Sequence, residues 1–97
     1  MVNIVRLIDI QSRTNPRKIA IKHNGQAITY SELELSSNQI ASFLKAHNFG
    51  NGDAIAVAMD RSIYTAVCLL AIMKAGAAYL PIDPTLPIER IDFFDQG

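Results

Sequence analysis

Cysteine is nearly absent from this sequence, since Cys68 is the only one among 97 residues. A single thiol cannot form a disulfide within the chain, which excludes a disulfide-stapled scaffold and favours a reducing, cytoplasmic compartment. Cys68 itself lies among apolar neighbours, which disfavour the thiolate that a nucleophile needs. We therefore predict a buried structural thiol at this position and not a reactive one.

The chain also lacks an excess of charge of either sign. Nine basic and nine acidic residues give a formal net charge of zero, whereas a general nucleic-acid-binding protein would carry a basic excess. A loose basic cluster comprises Arg13, Arg17, Lys18 and Lys22. Because runs of charge usually lie on a solvated surface, we predict an exposed face at this cluster and no nucleic-acid partner.

Long uninterrupted apolar runs are missing as well. Arg6 and Asp9 interrupt the start of the chain before the apolar core of a secretory signal develops. The segment 62–82 is about long enough to cross a bilayer, but it contains Lys74, and Pro81 would break it as one helix. Its two halves read as a helix and a strand, so we predict no membrane span.

The first third of the chain contains clear local signals for a helix and a hairpin. Residues 5–16 predict a short helix or loop, because the residue before a proline is disfavoured in the helical region. Residues 18–30 predict a β-hairpin, because Asn24-Gly25 is the strongest two-residue hairpin signal.

The next helix is predicted to begin with a capping box, in which Thr29 and Glu32 stand three residues apart. Apolar residues then follow at helical spacing, with Ser36 and Ser37 on the same face. Small side chains at these positions would let a neighbouring element approach closely. The Gly-Asn-Gly segment 50–52 is expected to end the helix.

The second half of the chain predicts a strand, a helix and a second strand. Residues 53–59 are short and apolar nearly throughout, as in a strand that is buried on both faces. Ser62 is a suitable N-cap for the apolar helix that follows, and Gly76 fits the left-handed position just beyond its end. Lys74 lies in the last turn, where a cation meets the negative end of the helix dipole. Residues 77–82 predict the second strand.

The last segment predicts a further helix, which begins with Pro87 and carries Ile88, Ile91 and Phe94 on one face. No internal repeat or linker interrupts the order of elements. The fold class expected for residues 1–97 is therefore α/β, with a β-hairpin and a βαβ unit flanked by helices.

Residues with catalytic chemistry do not form a recognisable site in the sequence. The glycines lack the spacing of a dinucleotide fingerprint, and Lys74 lies at a helix end, where the dipole repels phosphate. His23 and His47 have no acidic or thiol ligand at metal-binding spacing. Glu89 and Asp92 are interpreted as solvated, and no serine lies in a nucleophile setting. We predict no catalytic, cofactor-binding or metal-binding residue among the 97.

Two segments are nevertheless specific for a family. "ITYSEL" (28–33) and "MKAGAAYLPIDPTLPIERI" (73–91) resemble the first two motifs of amino-acid adenylation domains of nonribosomal peptide synthetases, which belong to the adenylate-forming superfamily. The segments between them follow the order that the family has, so the resemblance extends over residues 7–95. The aspartate in "AYLPIDP" favours peptide synthetases over acyl-CoA synthetases.

The resemblance implies a reaction as well as a fold. The family condenses an amino acid with ATP to an aminoacyl-AMP, with Mg²⁺ and release of pyrophosphate. It then loads the acyl group onto the phosphopantetheine thiol of a carrier protein. The family's phosphate loop, specificity pocket and catalytic lysine have no counterpart in this sequence. The resemblance therefore implies an N-terminal part of an adenylation domain that binds no cofactor itself and is inactive alone.

Alternative interpretations remain. The chain is either a piece that the remainder of the domain completes or a free-standing, non-catalytic module that binds a partner. An acyl-CoA synthetase fragment would differ mainly in substrate. Parallel strands need both faces covered, and open strand edges and apolar faces favour association. We therefore expect a homo-oligomer, a domain swap or a complementing chain.

Overall fold

The computed structural model describes residues 3–58 and 62–83. The elements of this part of the chain are α1 (Ile4–Thr14), β1 (Ile19–His23), β2 (Gln26–Thr29), α2 (Tyr30–Ala46), β3 (Ala54–Ala58), α3 (Ile63–Ala75) and β4 (Ala78–Ile82). The helix that we predict over residues 87–94 lies outside the described residues, together with Glu89 and Asp92.

The strands form a hairpin and a parallel pair, as the sequence predicts. β1 and β2 are antiparallel, and β3 and β4 are parallel and connected by α3, which confirms the βαβ unit. The segment that was predicted as a helix or a loop is helix α1, and it packs against α2. In the part of the chain that the structure describes, no helix is long and apolar enough to span a membrane.

The hairpin turn and the start of α2 confirm two predictions made from local spacing. Asn24 and Gly25 both have positive φ, at 50° and 76°, as the two central residues of a type I′ turn require. At the start of α2, the Thr29 hydroxyl accepts from the Glu32 backbone N–H at 3.1 Å, and the Glu32 carboxylate accepts from the Thr29 N–H at 3.0 Å. The capping box is therefore complete.

The capping box also makes the start of α2 sensitive to acid. The hydrogen bond from the Thr29 backbone N–H, and then the one from its hydroxyl, lower the pKa of the Glu32 carboxyl. A folded-state pKa below the unfolded value means that the ionised carboxylate stabilises the fold above the unfolded pKa. This contribution is lost as the pH falls through the lowered pKa of the folded state.

The end of α2 differs from the prediction. The helix ends at Ala46, several residues before the glycine segment 50–52, because Asn48 takes the left-handed conformation with φ of 66°. The Asn48 N–H donates to the Lys45 carbonyl at 3.0 Å and the Phe49 N–H to the Leu44 carbonyl at 2.9 Å. These are the two bonds of a Schellman motif, in which asparagine can replace glycine.

The end of α3 confirms the prediction for Gly76. This residue has φ of 82°. Its N–H donates to the Met73 carbonyl at 3.1 Å, and the Ala77 N–H donates to the Ile72 carbonyl at 3.2 Å. The glycine therefore lets the chain leave α3 and enter β4 with the last helical carbonyls satisfied.

We expect Gly76→Ala to lower the free energy of unfolding by about 1 kcal/mol, because an L side chain is strained in the left-handed region. The cost is conformational, since the nearest atom to an added Cβ is the Asn51 backbone nitrogen at 4.0 Å. Gly50→Ala is the matched control. Its φ is not positive and its Cβ would meet the Ala75 carbonyl oxygen at 3.5 Å, an ordinary contact. Urea unfolding should show a loss for the first variant and none for the second, and equal losses would contradict this account.

β3 does not have the burial that its apolar sequence predicts. Ile55 and Val57 are half-buried, whereas the alternating Ala54, Ala56 and Ala58 are exposed. The prediction of a strand buried on both faces is therefore wrong for the described residues. The physical reason is that α3 packs against the strand pair, and no described element covers the opposite face.

The core lies between α2 and α3. Leu33, Val67 and Leu70 form its buried centre. Four further buried side chains on these two helices are small: Ser37, Ala41, Ala71 and Ala75. The predicted small serine face is confirmed for Ser37, which is fully buried, and Ser36 is half-buried.

Candidate functional site

The most elaborate polar cluster in the described residues surrounds the ammonium group of Lys74. This group forms an ion pair with the Glu34 carboxylate. It donates to the Ser37 hydroxyl at 2.8 Å and to the Asn38 side-chain oxygen at 2.8 Å. The Ser37 hydroxyl in turn donates to the Leu33 carbonyl at 2.7 Å. We call these residues, with Lys74 at the centre, the Lys74 clamp.

The clamp accounts for all the donors of its lysine. An ammonium group has three N–H donors and no acceptor, and Glu34, Ser37 and Asn38 supply three acceptors. The Lys74 and Glu34 side chains are 9% and 15% exposed. A lysine engaged in this way directs all three donors to side chains of α2, so the clamp holds the end of α3 against α2.

The clamp also connects the two family-like segments. Lys74 belongs to the second segment, and Leu33, whose carbonyl the Ser37 hydroxyl binds, ends the first. The sequence placed Lys74 correctly in the last turn of α3. It missed the partners on α2, although Glu34, Ser37 and Asn38 have the i, i+3, i+4 spacing of one helix face.

A second feature is an apolar groove beside β3. It has a volume of about 480 Å³. We call it the β3 groove. Its walls include Ile40 and Leu44 from α2, Cys68 and Ile72 from α3, and residues 55–58 of β3. Tyr64, also at the groove, is 77% exposed. The side chains that line the groove among the described residues are mostly apolar, so these residues suit an apolar group.

Cys68 differs from the prediction. It was expected to be a buried structural thiol, but it is half-buried and lines the β3 groove. The apolar neighbours in sequence belong partly to the core face of α3, where Val67 and Leu70 are buried, whereas Cys68 lies on the side of the helix that faces the groove. Because the thiol lines the groove, its rate of alkylation would depend on whether the groove is occupied.

The other polar residues that the sequence singled out are dispersed. Arg13, Arg17, Lys18 and Lys22 are all exposed, as predicted, and Arg13 forms a surface ion pair with Asp9 at 3.1 Å. The His47 ring lies 4.2 Å from the Phe43 ring, centroid to centroid. Within residues 3–58 and 62–83, no three histidine, cysteine or acidic side chains are grouped so that they could hold a metal ion.

Comparison with known proteins gives these features a context. A family model described as AMP-binding enzyme matches residues 8–94. The chain belongs to this family. Surfactin synthase subunit 2 from Bacillus subtilis (strain 168) is 46% identical over 87 residues, which cover 90% of this chain and 2% of that protein. The chain thus spans only about 2% of the length of curated relatives such as this one.

Solved structures also match nearly the whole of this chain. The N-terminal subdomain of Klebsiella oxytoca NpsA superposes with a TM-score of 0.79 and 27% identity, covering 95% of this chain and 24% of that one. An artificially fused adenylation–PCP di-domain from the same organism, NpsA-ThdA, gives a TM-score of 0.80 and 28% identity, covering 93% and 17%. The resemblance to peptide-synthetase adenylation domains and the α/β fold class are therefore confirmed.

Proposed function

We propose that residues 1–97 are the N-terminal structural part of an amino-acid adenylation domain. The complete enzyme activates an amino acid with ATP and Mg²⁺ to an aminoacyl-AMP. It then loads the acyl group onto the phosphopantetheine thiol of a carrier protein in the cytoplasm. In this proposal the chain contributes scaffold, and the remainder of the domain contributes the groups that bind ATP and the amino acid.

The observation that carries the proposal is the match of 95% of the chain to the N-terminal subdomain of an adenylation enzyme. The geometry supports a structural role within that subdomain. The first family-like segment forms the capping box of α2, and the second ends α3 and holds it to α2 through the Lys74 clamp.

A free-standing interaction module is the second candidate, and the β3 groove is the observation that favours it. Large apolar side chains stay exposed on several elements of the described chain, including Ile4, Leu35 and Tyr64. Exposed apolar surface of this kind marks association sites. The two candidates differ in whether the partner completes an enzyme.

The deciding experiment is amino-acid-dependent ATP–pyrophosphate exchange by a chimera. The host is the adenylation domain of surfactin synthase subunit 2 that contains the matching segment, since its identity of 46% gives a compatible interface. The matching segment is replaced by this chain. We expect exchange within about tenfold of the unmodified host, a difference of about 1.4 kcal/mol in transition-state stabilisation.

Two controls complete the experiment. This chain alone and the host without the segment should both give background exchange, because each lacks part of the enzyme. Exchange by the chain alone would show that it contains a catalytic site and would overturn the structural role. A folded but inactive chimera would favour the interaction module. The predicted homo-oligomer or domain swap stays a prediction, which sedimentation of the chain alone would test.

A further inference from the structure

We propose that a polar pocket between α1 and α2 binds a phosphate group through Arg6 and Lys45. The pocket has a volume of about 520 Å³, which lies within the usual range for small-molecule sites. We call it the α1–α2 pocket. Arg6 and Asp9 line it from α1, and Asn38, Ser42 and Lys45 line it from α2. The inference does not depend on the proposed function, because it concerns only residues of this chain.

The first argument is the arrangement of polar side chains on the two helices. Arg6 and Asp9 are three residues apart on α1, and Asn38, Ser42 and Lys45 follow at i, i+4, i+7 on α2. Residues at these spacings share one face of a helix. Because α1 packs against α2, the two polar faces border one pocket. This pocket therefore differs in character from the apolar β3 groove.

The second argument is charge. Three cationic and two carboxylate side chains line the pocket. Each carboxylate already has a cation, since Asp9 pairs with Arg13 at 3.1 Å and the other carboxylate belongs to the Lys74 clamp. Within residues 3–58 and 62–83, the side chains of Arg6 and Lys45 have no ion-pair partner. Two cations from two different helices are therefore free to meet an anion in this pocket.

The third argument is the supply of hydrogen-bond donors. A guanidinium group has five N–H donors and an ammonium group has three, and neither has an acceptor. The side-chain oxygen of Asn38 accepts from Lys74 at 2.8 Å, so its amide nitrogen remains a donor. The Ser42 hydroxyl can donate as well. The pocket thus offers an excess of donors, which suits a ligand with several acceptor oxygens.

A phosphate group fits this chemistry better than a carboxylate. It carries a charge of about −1.5 to −2 at pH 7 and three acceptor oxygens, whereas a carboxylate carries one charge and two oxygens. The two free cations therefore match a phosphate group. Arginine binds phosphate with two parallel hydrogen bonds, and lysine binds it as a point charge. The volume also leaves room for a small organic group on the phosphate.

The basic cluster on the surface is the competing place for an anion. None of its four residues lines the α1–α2 pocket, and all four are exposed. Charges on an open surface are hydrated and screened by salt, so they hold an anion weakly. This cluster supplies matched control positions at Arg17 and Lys18.

The test is calorimetric titration of the full chain with inorganic phosphate and with glycerol 3-phosphate at low ionic strength. We expect one site for both probes. Arg6→Met and Lys45→Met should each raise the dissociation constant at least about tenfold, because each removes a hydrogen bond assisted by charge. Asp9→Asn should lower the dissociation constant, because it removes a negative charge from the lining and leaves the donors in place.

Two controls decide whether the effect belongs to the pocket and to phosphate. Arg17→Met and Lys18→Met remove the same charges outside the pocket and should change the dissociation constant less than about twofold. Acetate should compete at least about tenfold more weakly than phosphate, since it meets only one of the two cations. Equal weakening by the control variants, or equal competition by acetate, would overturn the inference.

The remaining outcomes are assigned in advance. Circular dichroism checks that each variant is folded, and the chimera replaces the free chain if the latter is unfolded. In the chimera, phosphate binding that survives in the double variant Arg6→Met, Lys45→Met belongs to the host's catalytic site. No binding beyond that level, or weaker binding by Asp9→Asn, overturns the inference. Tighter binding of glycerol 3-phosphate identifies a phosphorylated small molecule as the ligand, and tighter binding of inorganic phosphate identifies the free ion. Both of these support the site, and none of the outcomes depends on exchange activity.

Discussion

Replacing Lys74 by methionine is expected to lower the free energy of unfolding by about 3 kcal/mol, because removing one partner of a buried ion pair leaves the other charge uncompensated. The Glu34 side chain is 15% exposed and would lose its cation. The Ser37 hydroxyl, which is fully buried, would lose the donor that it now accepts from. Methionine keeps the unbranched length of the lysine, so the loss measures charge and hydrogen bonding more than packing.

The measurement is urea unfolding of the full chain, with a double variant and a surface control. Glu34→Met combined with Lys74→Met should recover most of the loss, because an apolar pair often replaces a buried ion pair without cost. Lys45→Met is the control, since Lys45 is exposed and belongs to the last turn of α2. We expect a change within about 0.5 kcal/mol for this control, as for other surface substitutions. A single Lys74 variant as stable as the control would show that the clamp contributes nothing.

The same variant tests whether Lys74 acts only through the fold. In the chimera, Lys74→Met should lower the amount of folded enzyme and leave the exchange rate per folded molecule nearly unchanged. The three acceptors that occupy the ammonium group leave it no donor for a phosphate or a carboxylate. A folded Lys74→Met chimera that loses exchange entirely would instead show that the lysine reaches the substrate.

The features that the sequence predicts correctly depend on contacts between residues close in the chain. The Asn24-Gly25 turn, the bonds between Thr29 and Glu32, and the left-handed Gly76 each involve a few consecutive residues. Their geometry follows from local stereochemistry, which a sequence displays directly. Tertiary context therefore has little opportunity to override them.

The features that the sequence does not predict depend on distant partners. Lys74 and Glu34 are 40 residues apart, so the lysine was interpreted from its own helix alone. β3 has an apolar sequence that suits burial on both faces, but no described element covers one of those faces. Cys68 has apolar neighbours in sequence, but it lies on the groove side of α3. Each error comes from an environment that the linear pattern does not contain.

The end of α2 is an error of a different kind, because a local signal was present and was assigned to the wrong residues. The glycine segment 50–52 forms the turn into β3, where the Gly50 N–H donates to the Asp53 carboxylate at 2.8 Å. Asn48 had already ended the helix. Besides glycine, asparagine is among the few residues that enter the left-handed region, so a helix followed by both asparagine and glycine has two possible ends.

Leu33→Ala is expected to lower the free energy of unfolding by about 3 kcal/mol, because a buried leucine truncated to alanine loses transfer free energy and leaves a cavity. Leu33 is 3% exposed and packs in the core cluster with Val67 and Leu70. It also ends the first family-like segment, "ITYSEL". This segment therefore contributes to the fold through its leucine as well as through the capping box.

Leu35→Ala provides the matched control for this substitution. Leu35 lies on the same helix two positions later and is 60% exposed, so its truncation should change the stability by about 0.5 kcal/mol or less. Urea unfolding of the full chain measures both variants, and the same pair in the chimera tests the enzyme. The free energy of unfolding of a domain is about 5–15 kcal/mol, so a loss of this size at Leu33 should remove a large share of it. Equal effects at both leucines in the free chain would place the core elsewhere. A loss at Leu35 confined to the chimera would show that the completed domain covers that exposed side chain.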